Sequence, residues 1–439
     1  MKDLVFKFED CLIDISELYD KSDIIYNELE HMKNTLTRDY EDLRASLTLI
    51  DDKTALSKVK EMISDKMQLN PSYLVVVGIG GSNLGSVAVQ EAILGKLYNQ
   101  LNLNIKILFA ETVDSDVINN IINIIEPVLR SGGNVIVNGV SKSGSTTETI
   151  ANFEVIFELI KKYKKDFKNY IVITTDKDSK FWQLAEESGF SILEIPKKVG
   201  GRFSVFSPVG LFPLGMLGLD LDALLAGAGQ MRDRCLRSDI NQNPAALSAL
   251  LLFQQITLNR INIHDLFLFS CDLESLGKWY RQLLGESLGK EFDRLGAQVH
   301  AGITPSVSIG STDLHSVGQL YLGGPYDKFT TFVSVEHLKS QVKIPELNGY
   351  SDLVANIQNR PLNDLMQAIL QGVKAAYRVG KRPFIEIILP DKTESSIGQF
   401  LQLKMMETMF LGALMNLNPF NQPNVENYKS ETRKILAMK

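Results

Sequence analysis

Two polar loops in this sequence carry side chains suited to binding an anion. Residues 78–85 read GIGGSNLG, and residues 141–149 read SKSGSTTET, with six hydroxyl side chains and one lysine. Each loop follows a β-branched run and precedes a helical pattern. Glycines let the backbone approach a ligand closely, and a helix N-terminus presents free N–H groups and a positive dipole end to an anion. Together with the lysine and hydroxyl donors, this pattern predicts a phosphate site.

The glycine loop matches neither of the common nucleotide-binding motifs. The dinucleotide fingerprint counted from Gly78 requires glycine at position 83, where Asn83 stands, and Ser86 follows Gly85 where a P-loop has lysine. A dinucleotide-dependent oxidoreductase is therefore disfavoured. A glycine-rich turn without a ligand remains an alternative for the first loop, and an elaborate helix cap for the second. One cap needs only one hydroxyl, so the six hydroxyls favour phosphate.

Three further segments place charged side chains in unusual surroundings. Arg202 stands beside two glycines in an otherwise apolar stretch, and Glu286 lies in GESLGK, predicted as a glycine-flanked bend after a helix. Residues 420–429, FNQPNVENYK, are predicted as an amide-rich loop that ends in Lys429. Taken singly, each segment also has a structural explanation. Arg202 could form a structural ion pair, Glu286 could be an ordinary exposed glutamate, and residues 420–429 could be a solvated loop.

The elements that must position these residues alternate between strands and helices. Strands are predicted at 73–77, 105–110, 134–140, 171–173, 191–195, 266–269, 329–335 and 384–389. Such alternation is typical of parallel sheets wrapped by helices. The loops at 78–85 and 141–149 follow different strands, so they are expected to flank one crevice at the carboxyl ends of a sheet.

The predicted fold class is α/β, with two doubly wound parallel-sheet domains between helical ends. The expected divisions are an N-terminal helical arm at 1–49, a first α/β domain at 50–205, a second at 206–395 and a helical segment at 396–439. Within the arm, the spacing of four apolar residues predicts an amphipathic helix: Leu36, Tyr40, Leu43 and Leu47.

Composition limits the classes of function. The 439 residues are 44% hydrophobic and 22% charged with net charge −6, so a disordered chain and a basic nucleic-acid-binding surface are both excluded. Three widely spaced cysteines indicate no disulfide framework or zinc-ligand pair and favour a reducing compartment. The uncharged, proline- and glycine-containing run 203–219 is shorter than the ~20 apolar residues of a membrane helix. The N-terminus lacks a secretory cleavage site, so a soluble cytoplasmic protein is expected.

Together and in this order, these segments resemble the glucose-6-phosphate isomerase family. The most specific are SKSGSTTET at 141–149, VGGRFSVFSPVG at 199–210 and FNQPNVENYK at 420–429, and the stretch STDLHSVGQ at 311–319 is similar to the family's histidine segment. The resemblance implies two sugar-isomerase (SIS) domains in a cytoplasmic homodimer. It also implies interconversion of glucose 6-phosphate and fructose 6-phosphate, in glycolysis and gluconeogenesis, without a metal or organic cofactor.

The resemblance further implies roles for individual residues. Glu286 matches the base that moves a proton between C2 and C1 through a cis-enediol, and Arg202 matches the cation that faces the enediolate. His315 and Lys429 match the pair that opens and closes the sugar ring. The residues that match substrate-binding positions are Gly81, Ser82, Ser141, Lys142, Ser143, Thr146, Glu148 and Gln422.

Three alternatives stay open at this stage. A non-catalytic sugar-phosphate sensor would keep the 141–149 loop but has no need of Glu286 and Lys429. An isomerase that also accepts mannose 6-phosphate would use the same enediol. Finally, His300 lies in the same region as His315, so the catalytic histidine could be either of them.

Overall fold

A computed structural model describes residues 2–14, 18, 20–101 and 105–438 of the chain. The chain forms two compact units. The first-sheet unit comprises residues 29–236, and the second-sheet unit comprises residues 1–28 together with 237–439.

The strands and helices follow one another in the order predicted by the alternation, with additions. The strands are β1 Val5–Lys7, β2 Pro71–Val77, β3 Lys106–Ala110, β4 Asn134–Ser141, β5 Ile171–Thr175, β6 Ser191–Glu194, β7 Ile263–Leu268, β8 Lys290–Phe292, β9 Gln298–Ala301, β10 Thr304–Ile309, β11 Lys328–Val335 and β12 Phe384–Leu389. The α-helices are α1 Ser22–Thr35, α2 Lys53–Met67, α3 Leu84–Leu94, α4 Ser115–Arg130, α5 Thr147–Tyr163, α6 Lys180–Ser188, α7 Pro208–Met216, α8 Leu221–Cys235, α9 Pro244–Thr257, α10 Glu274–Leu288, α11 Gly318–Gly323, α12 Leu362–Val379, α13 Glu394–Leu414 and α14 Val425–Ala437.

The first-sheet unit is built on five parallel strands in the order β3-β2-β4-β5-β6. The central strands are buried on both faces: Leu74 to Val77 of β2 have no exposed surface. Continuous β-branched runs of this kind are what a sheet covered by helices on both sides requires. The 78–85 loop leaves β2 and the 141–149 loop leaves its neighbour β4, so both lie at the carboxyl edge of the sheet, as the sequence predicts.

The second-sheet unit has a five-stranded sheet in the order β1-β12-β11-β7-β10. All of its pairs are parallel except the pairing of β1 with β12. An aromatic cluster fills one face, and the rings of Phe332 and Phe384 meet edge to face at 5.2 Å. With this sheet and that of the first-sheet unit, the α/β fold class with parallel sheets is confirmed.

A fully buried charged cluster lies inside the second-sheet unit between α9, α10 and α13. The Glu407 carboxylate accepts hydrogen bonds from Lys404 Nζ at 2.8 Å, Tyr280 Oη at 2.7 Å and Ser248 Oγ at 2.6 Å. None of these side chains is more than 1% exposed. Burial lowers the pKa of Lys404, and the neighbouring carboxylate opposes that shift. The cluster joins α10, which carries Glu286, to the buried helix α13.

Two local predictions differ from the structure. The amphipathic helix expected from Leu36 to Leu47 is wrong, because α1 ends at Thr35 and the following residues form turns and short 3-10 segments. Asp39 has φ +47, which an α-helix cannot accommodate, and Tyr40 Oη donates instead to Asp52 Oδ2 at 2.6 Å. The bend expected at Glu286 is also wrong, because α10 continues to Leu288.

Candidate functional site

The glycine loop packs backbone to backbone against the segment that carries Arg202. A Cβ atom on Gly81 would lie 2.3 Å from the Gly201 carbonyl carbon and 2.7 Å from the Arg202 nitrogen. The Ser204 hydroxyl connects the two segments. Its Oγ donates to the carbonyl of Gly81 at 3.3 Å and to that of Gly201 at 2.7 Å. Glycine is therefore required at position 81 to bring these loops together.

We expect Gly81→Ala to destabilise the protein by about 1–3 kcal/mol, because the added methyl meets only backbone atoms that cannot rotate away. The resemblance gives Arg202 a role in turnover, so displacing it should also lower kcat, on the order of 10²-fold for a shift of about 1 Å. Urea unfolding and steady-state kinetics measure the two effects. Gly372→Ala is the matched control, since a Cβ there meets nothing within 4 Å. Because Gly372 lies inside α12, Gly372→Ala should leave kcat unchanged and raise the free energy of unfolding by about 0.5–1 kcal/mol. Equal behaviour of both variants would contradict the packing argument.

The hydroxyl loop presents its side chains around the N-terminus of α5. Thr146 Oγ1 lies 3.0 Å from Ser141 Oγ and 3.4 Å from Ser143 Oγ. Thr146 occupies the N-cap position, yet its side chain makes no capping hydrogen bond. The elaborate-cap alternative therefore loses its main support, and the first-turn N–H groups keep their capacity to bind an anion. Glu148 is half-buried in that first turn.

Several positively charged side chains lie close to this loop. Burial lowers the pKa of Lys142, the nearby Arg202 and Lys198 add repulsion in the same direction, and only Asp176 opposes the shift. The Lys142 ammonium makes no hydrogen bond or salt bridge with any residue that the structure describes. Arg202 is 3% exposed, and its guanidinium lies 5.5 Å from the centre of the Phe203 ring. A buried arginine and a half-buried lysine that repel each other favour binding of an anion.

Glu286 lies in the last turn of α10, in the second-sheet unit. Gln282 Nε2, one turn earlier, donates to Glu286 Oε1 at 3.0 Å. Lys290 is 5% exposed, and its ammonium donates to the backbone carbonyl of Glu286 at 2.5 Å and to that of Asn421 at 2.6 Å. This lysine therefore connects the end of α10 to the loop that contains Gln422.

The other candidates of the second-sheet unit lie on its surface. His315 is exposed at the end of a short 3-10 helix, Thr312–His315, and His300 is exposed on β9. Gln422 is exposed in the loop between α13 and α14. Lys429 lies in α14 and not in a loop as predicted, and its Nζ donates to Glu426 Oε1 at 2.8 Å.

The candidate residues thus divide between the two units. Eight belong to the first-sheet unit: Gly81, Ser82, Ser141, Lys142, Ser143, Thr146, Glu148 and Arg202. Four belong to the second-sheet unit: Glu286, His315, Gln422 and Lys429. Sequence reasoning missed Lys290, which stands in the GESLGK motif but carries no local sign of burial, and Gly201, whose close approach to Gly81 only the fold reveals.

The described residues lack two other features. Within the described residues, no group of three or more His, Cys, Asp or Glu side chains could hold a metal ion. No helix in the described part of the chain is long and apolar enough to cross a membrane.

Two largely parallel sheets connected by helices, the first with a hydroxyl-rich loop at the N-terminus of α5, define the class as an α/β protein. Comparison with known families is more specific. The phosphoglucose isomerase family matches residues 70–438, and the chain belongs to this family.

Individual relatives agree with this membership. The chain is 34% identical over 372 residues to the glucose-6-phosphate isomerase of Carboxydothermus hydrogenoformans, covering 83% of this chain and 79% of the relative. It is 35% identical over 365 residues to a glucose-6-phosphate isomerase of Thermus thermophilus, covering 83% of each. A crystal structure of a glucose-6-phosphate isomerase from Chlamydia trachomatis superposes with a TM-score of 0.83 at 20% identity. That superposition covers 99% of this chain and 88% of the other, and it shows a shared fold.

Proposed function

We propose that this enzyme interconverts glucose 6-phosphate and fructose 6-phosphate through a cis-enediol(ate), in glycolysis and gluconeogenesis. The observation that carries the proposal is the 141–149 loop at the N-terminus of α5. The Thr146 hydroxyl lies within 3.4 Å of those of Ser141 and Ser143, and the half-buried Lys142 has no anionic partner within salt-bridge distance among the described residues. A phosphate monoester supplies the charge and acceptor oxygens that this arrangement needs. Membership of the phosphoglucose isomerase family supplies the reaction.

Glu286 is the proposed base. In the direction of fructose 6-phosphate, its carboxylate removes the proton from C2 of the open-chain aldose and delivers it to C1. A second proton passes from the C2 hydroxyl to the C1 oxygen, so that the carbonyl at C2 forms as the one at C1 is lost. One carboxylate can serve both carbons because they are bonded to each other and it can reach both from the same face of the planar cis-enediolate. Arg202 is proposed to stabilise the negative charge that develops on oxygen. The hydrogen bonds of Gln282 and Lys290 to Glu286 support this role, because they restrict the last turn of α10.

The phosphate is proposed to bind to Ser141, Lys142, Ser143 and Thr146, with Gly81, Ser82, Glu148 and Gln422 as further substrate contacts. Lys142→Met should raise KM by roughly 10–100-fold with a smaller change in kcat, since charge-assisted hydrogen bonds contribute about 1.5–3 kcal/mol each. Lys165→Met, which removes an exposed lysine from the same unit, is the control. An unchanged KM in Lys142→Met would remove this loop from the site.

The lowered pKa of Lys142 also gives a direction for the pH dependence of binding. A lysine with a lowered pKa loses its charge at a lower pH than an ordinary lysine, and the phosphate then loses its cationic partner. KM should therefore rise on the alkaline side, while Lys142→Arg, which stays charged, should show no such rise.

His315 and Lys429 are proposed to transfer the protons that open and close the sugar ring. His315→Ala should slow turnover of the cyclic substrate, and an open-chain substrate should partly restore it, because ring opening also proceeds slowly in water. His300→Ala is the matched control, since His300 is likewise exposed in the same unit. If the open-chain substrate rescues His300→Ala and not His315→Ala, the role belongs to His300.

We also propose that the enzyme works as a cytoplasmic homodimer, with residues 1–49 as an arm that contacts the partner. Support for the cytoplasmic compartment comes from the three cysteines: none forms a disulfide bond and two are buried, as expected in a reducing compartment. The domain divisions at 49, 205 and 395 belong to the same proposal. An additional activity on mannose 6-phosphate is compatible with the enediol and would appear as slow formation of that epimer.

A coupled assay tests the function. The purified chain is given fructose 6-phosphate, and a glucose-6-phosphate dehydrogenase reports the product, with and without EDTA. Turnover that is equal under both conditions is expected, because a glutamate base and an arginine can carry the enediolate route without a metal. Absence of turnover would leave the sugar-phosphate sensor as the better account. Loss of turnover in EDTA, with recovery on adding zinc or manganese, would contradict the metal-free mechanism.

A further inference from the structure

A groove of about 790 Å³ lies in the first-sheet unit between helix α2 and strand β6. None of the candidate site residues lines it. One face of α2 forms one wall through Ala55, Lys58 and Met62, while β6 and Trp182 of α6 form the other. The groove is thus separate from the proposed phosphate site and has no role in the reaction described above.

The β6 side of this groove is an open sheet edge. Among the described residues β6 pairs only with β5, and Ile195 donates its N–H to the Thr175 carbonyl on that side at 2.8 Å. Because peptide groups alternate in direction along a strand, the N–H and C=O groups of Ile192 and Glu194 point away from β5. No described residue hydrogen-bonds to these groups. They are therefore available to pair with another extended chain.

The opposite edge of the same sheet shows how this protein covers an edge. Beside β3, the Asn99 side chain donates to the Ile107 carbonyl at 2.6 Å and accepts from the Ile107 N–H at 3.0 Å. The Asn99 amide thus forms the two hydrogen bonds that a neighbouring strand would form with Ile107, whose N–H and C=O are both satisfied. No side chain of the described residues does the same for β6. The two edges therefore differ in their capacity to bind a further strand.

The charge of the groove limits what could bind there. Four carboxylates line it, from Asp52, Glu61, Asp65 and Glu194, against two ammonium groups, from Lys58 and Lys197. Lys197 pairs with Asp178 at 3.0 Å and Asp65 pairs with Lys66 at 2.9 Å, both partners lying outside the groove lining. Glu194 forms no salt bridge with any described residue. The groove is therefore acidic at its rim, with apolar side chains such as Ile192, Met62 and Trp182 between the charges.

We propose that this groove binds an extended segment of a partner protein, in which basic and apolar residues alternate, as an added strand beside β6. The backbone of Ile192 and Glu194 provides the pairing, and the groove carboxylates select Lys or Arg side chains. The site is independent of the isomerase reaction, so it can be tested with the active enzyme.

Tryptophan fluorescence offers a direct measurement of binding. The chain has two tryptophans; Trp279 is 1% exposed, whereas Trp182 lines the groove. The probe is the acetylated and amidated hexapeptide KVRVKV, titrated into the full chain at low salt. Saturable change in Trp182 emission is expected, together with slower hydrogen exchange at the Ile192 and Glu194 amides. The same peptide N-methylated at alternate residues lacks half its donors and should bind about tenfold more weakly.

Two substitutions locate the binding. Ile192→Pro removes an N–H that faces the groove while sparing the bonds to β5, as proline is tolerated at a sheet edge. Glu194→Lys reverses one rim charge. Each should weaken peptide binding by about tenfold without changing isomerase activity. Glu187→Lys, on α6 outside the groove lining, is the control and should bind like the unaltered chain. Should Ile192→Pro fail to fold, Glu194→Lys and the methylated peptide still decide the question.

Four results would overturn the proposal. Equal binding of the plain and methylated peptides would show that the strand edge is not used. An equal response to hexylamine would indicate a small-molecule cavity. Trp182 emission that depends on protein concentration alone would indicate that a second copy of the chain occupies the groove. No saturable response at millimolar peptide would show that the edge is merely solvated.

Discussion

Glu286→Gln is expected to lower kcat by roughly 10²–10⁴-fold, with little change in KM. Glutamine keeps the shape of the side chain and can still accept the hydrogen bond that Gln282 donates to Glu286. It cannot accept a proton from carbon at neutral pH. The proton transfer between C2 and C1 therefore loses its base while the phosphate contacts remain, and steady-state kinetics with both sugar phosphates measures the difference.

The control for this variant lies at the other end of the same helix. Glu274 begins α10, and its carboxylate pairs with Lys278 at 2.8 Å near the surface. Glu274→Gln should change kcat by less than about twofold, because exposed ion pairs contribute little. A Glu286→Gln enzyme that retains activity within a few-fold of the unaltered enzyme would show that another group is the base.

Lys404→Met is expected to produce the largest loss of stability, about 3–5 kcal/mol in the free energy of unfolding. The substitution leaves Glu407 buried with no cation beside it, although Tyr280 and Ser248 still donate to its carboxylate. Hydrogen bonds from neutral hydroxyls only partly offset the cost of burying a carboxylate. Urea unfolding monitored by circular dichroism gives the free energy.

The matched comparison is the double variant Lys404→Met/Glu407→Gln. It removes both charges and keeps an amide that can accept from Tyr280, so it should regain most of the stability lost in the single variant. If the single variant loses less than about 1 kcal/mol, or the double variant is no more stable than the single one, the pair is not what holds α9, α10 and α13 together.

The parallel sheets and their loops could be predicted because their signals are local and mutually consistent. Apolar runs such as Leu74 to Val77 end directly in glycine or hydroxyl clusters, and strand β12 matches its predicted bounds. The position of the hydroxyl loop at the N-terminus of α5 was predictable for the same reason: six hydroxyls and Lys142 lie within nine residues that begin at the end of β4.

What could not be predicted depends on contacts between segments distant in the sequence. The apolar spacing around Tyr40 satisfies a helical pattern, but its hydroxyl bonds to Asp52 and the chain turns instead. Strand β1 is three residues long and exists only because it pairs with β12, more than 370 residues away. Lys290 is buried by its contact with the loop at Asn421, and no sequence pattern around Lys290 predicts this contact.

The most direct test of the mechanism is exchange of the C2 hydrogen of glucose 6-phosphate with solvent. The sugar phosphate is incubated with the enzyme in D₂O, and proton NMR follows the C2 signal. With the unaltered enzyme we expect deuterium to enter C2, because a carboxylate base exchanges its proton with water while the enediolate exists. With Glu286→Gln at equal concentration we expect no exchange above the rate without enzyme. Continued exchange at C2 in Glu286→Gln would contradict the assignment of Glu286 as the base, and with it the central step of the mechanism.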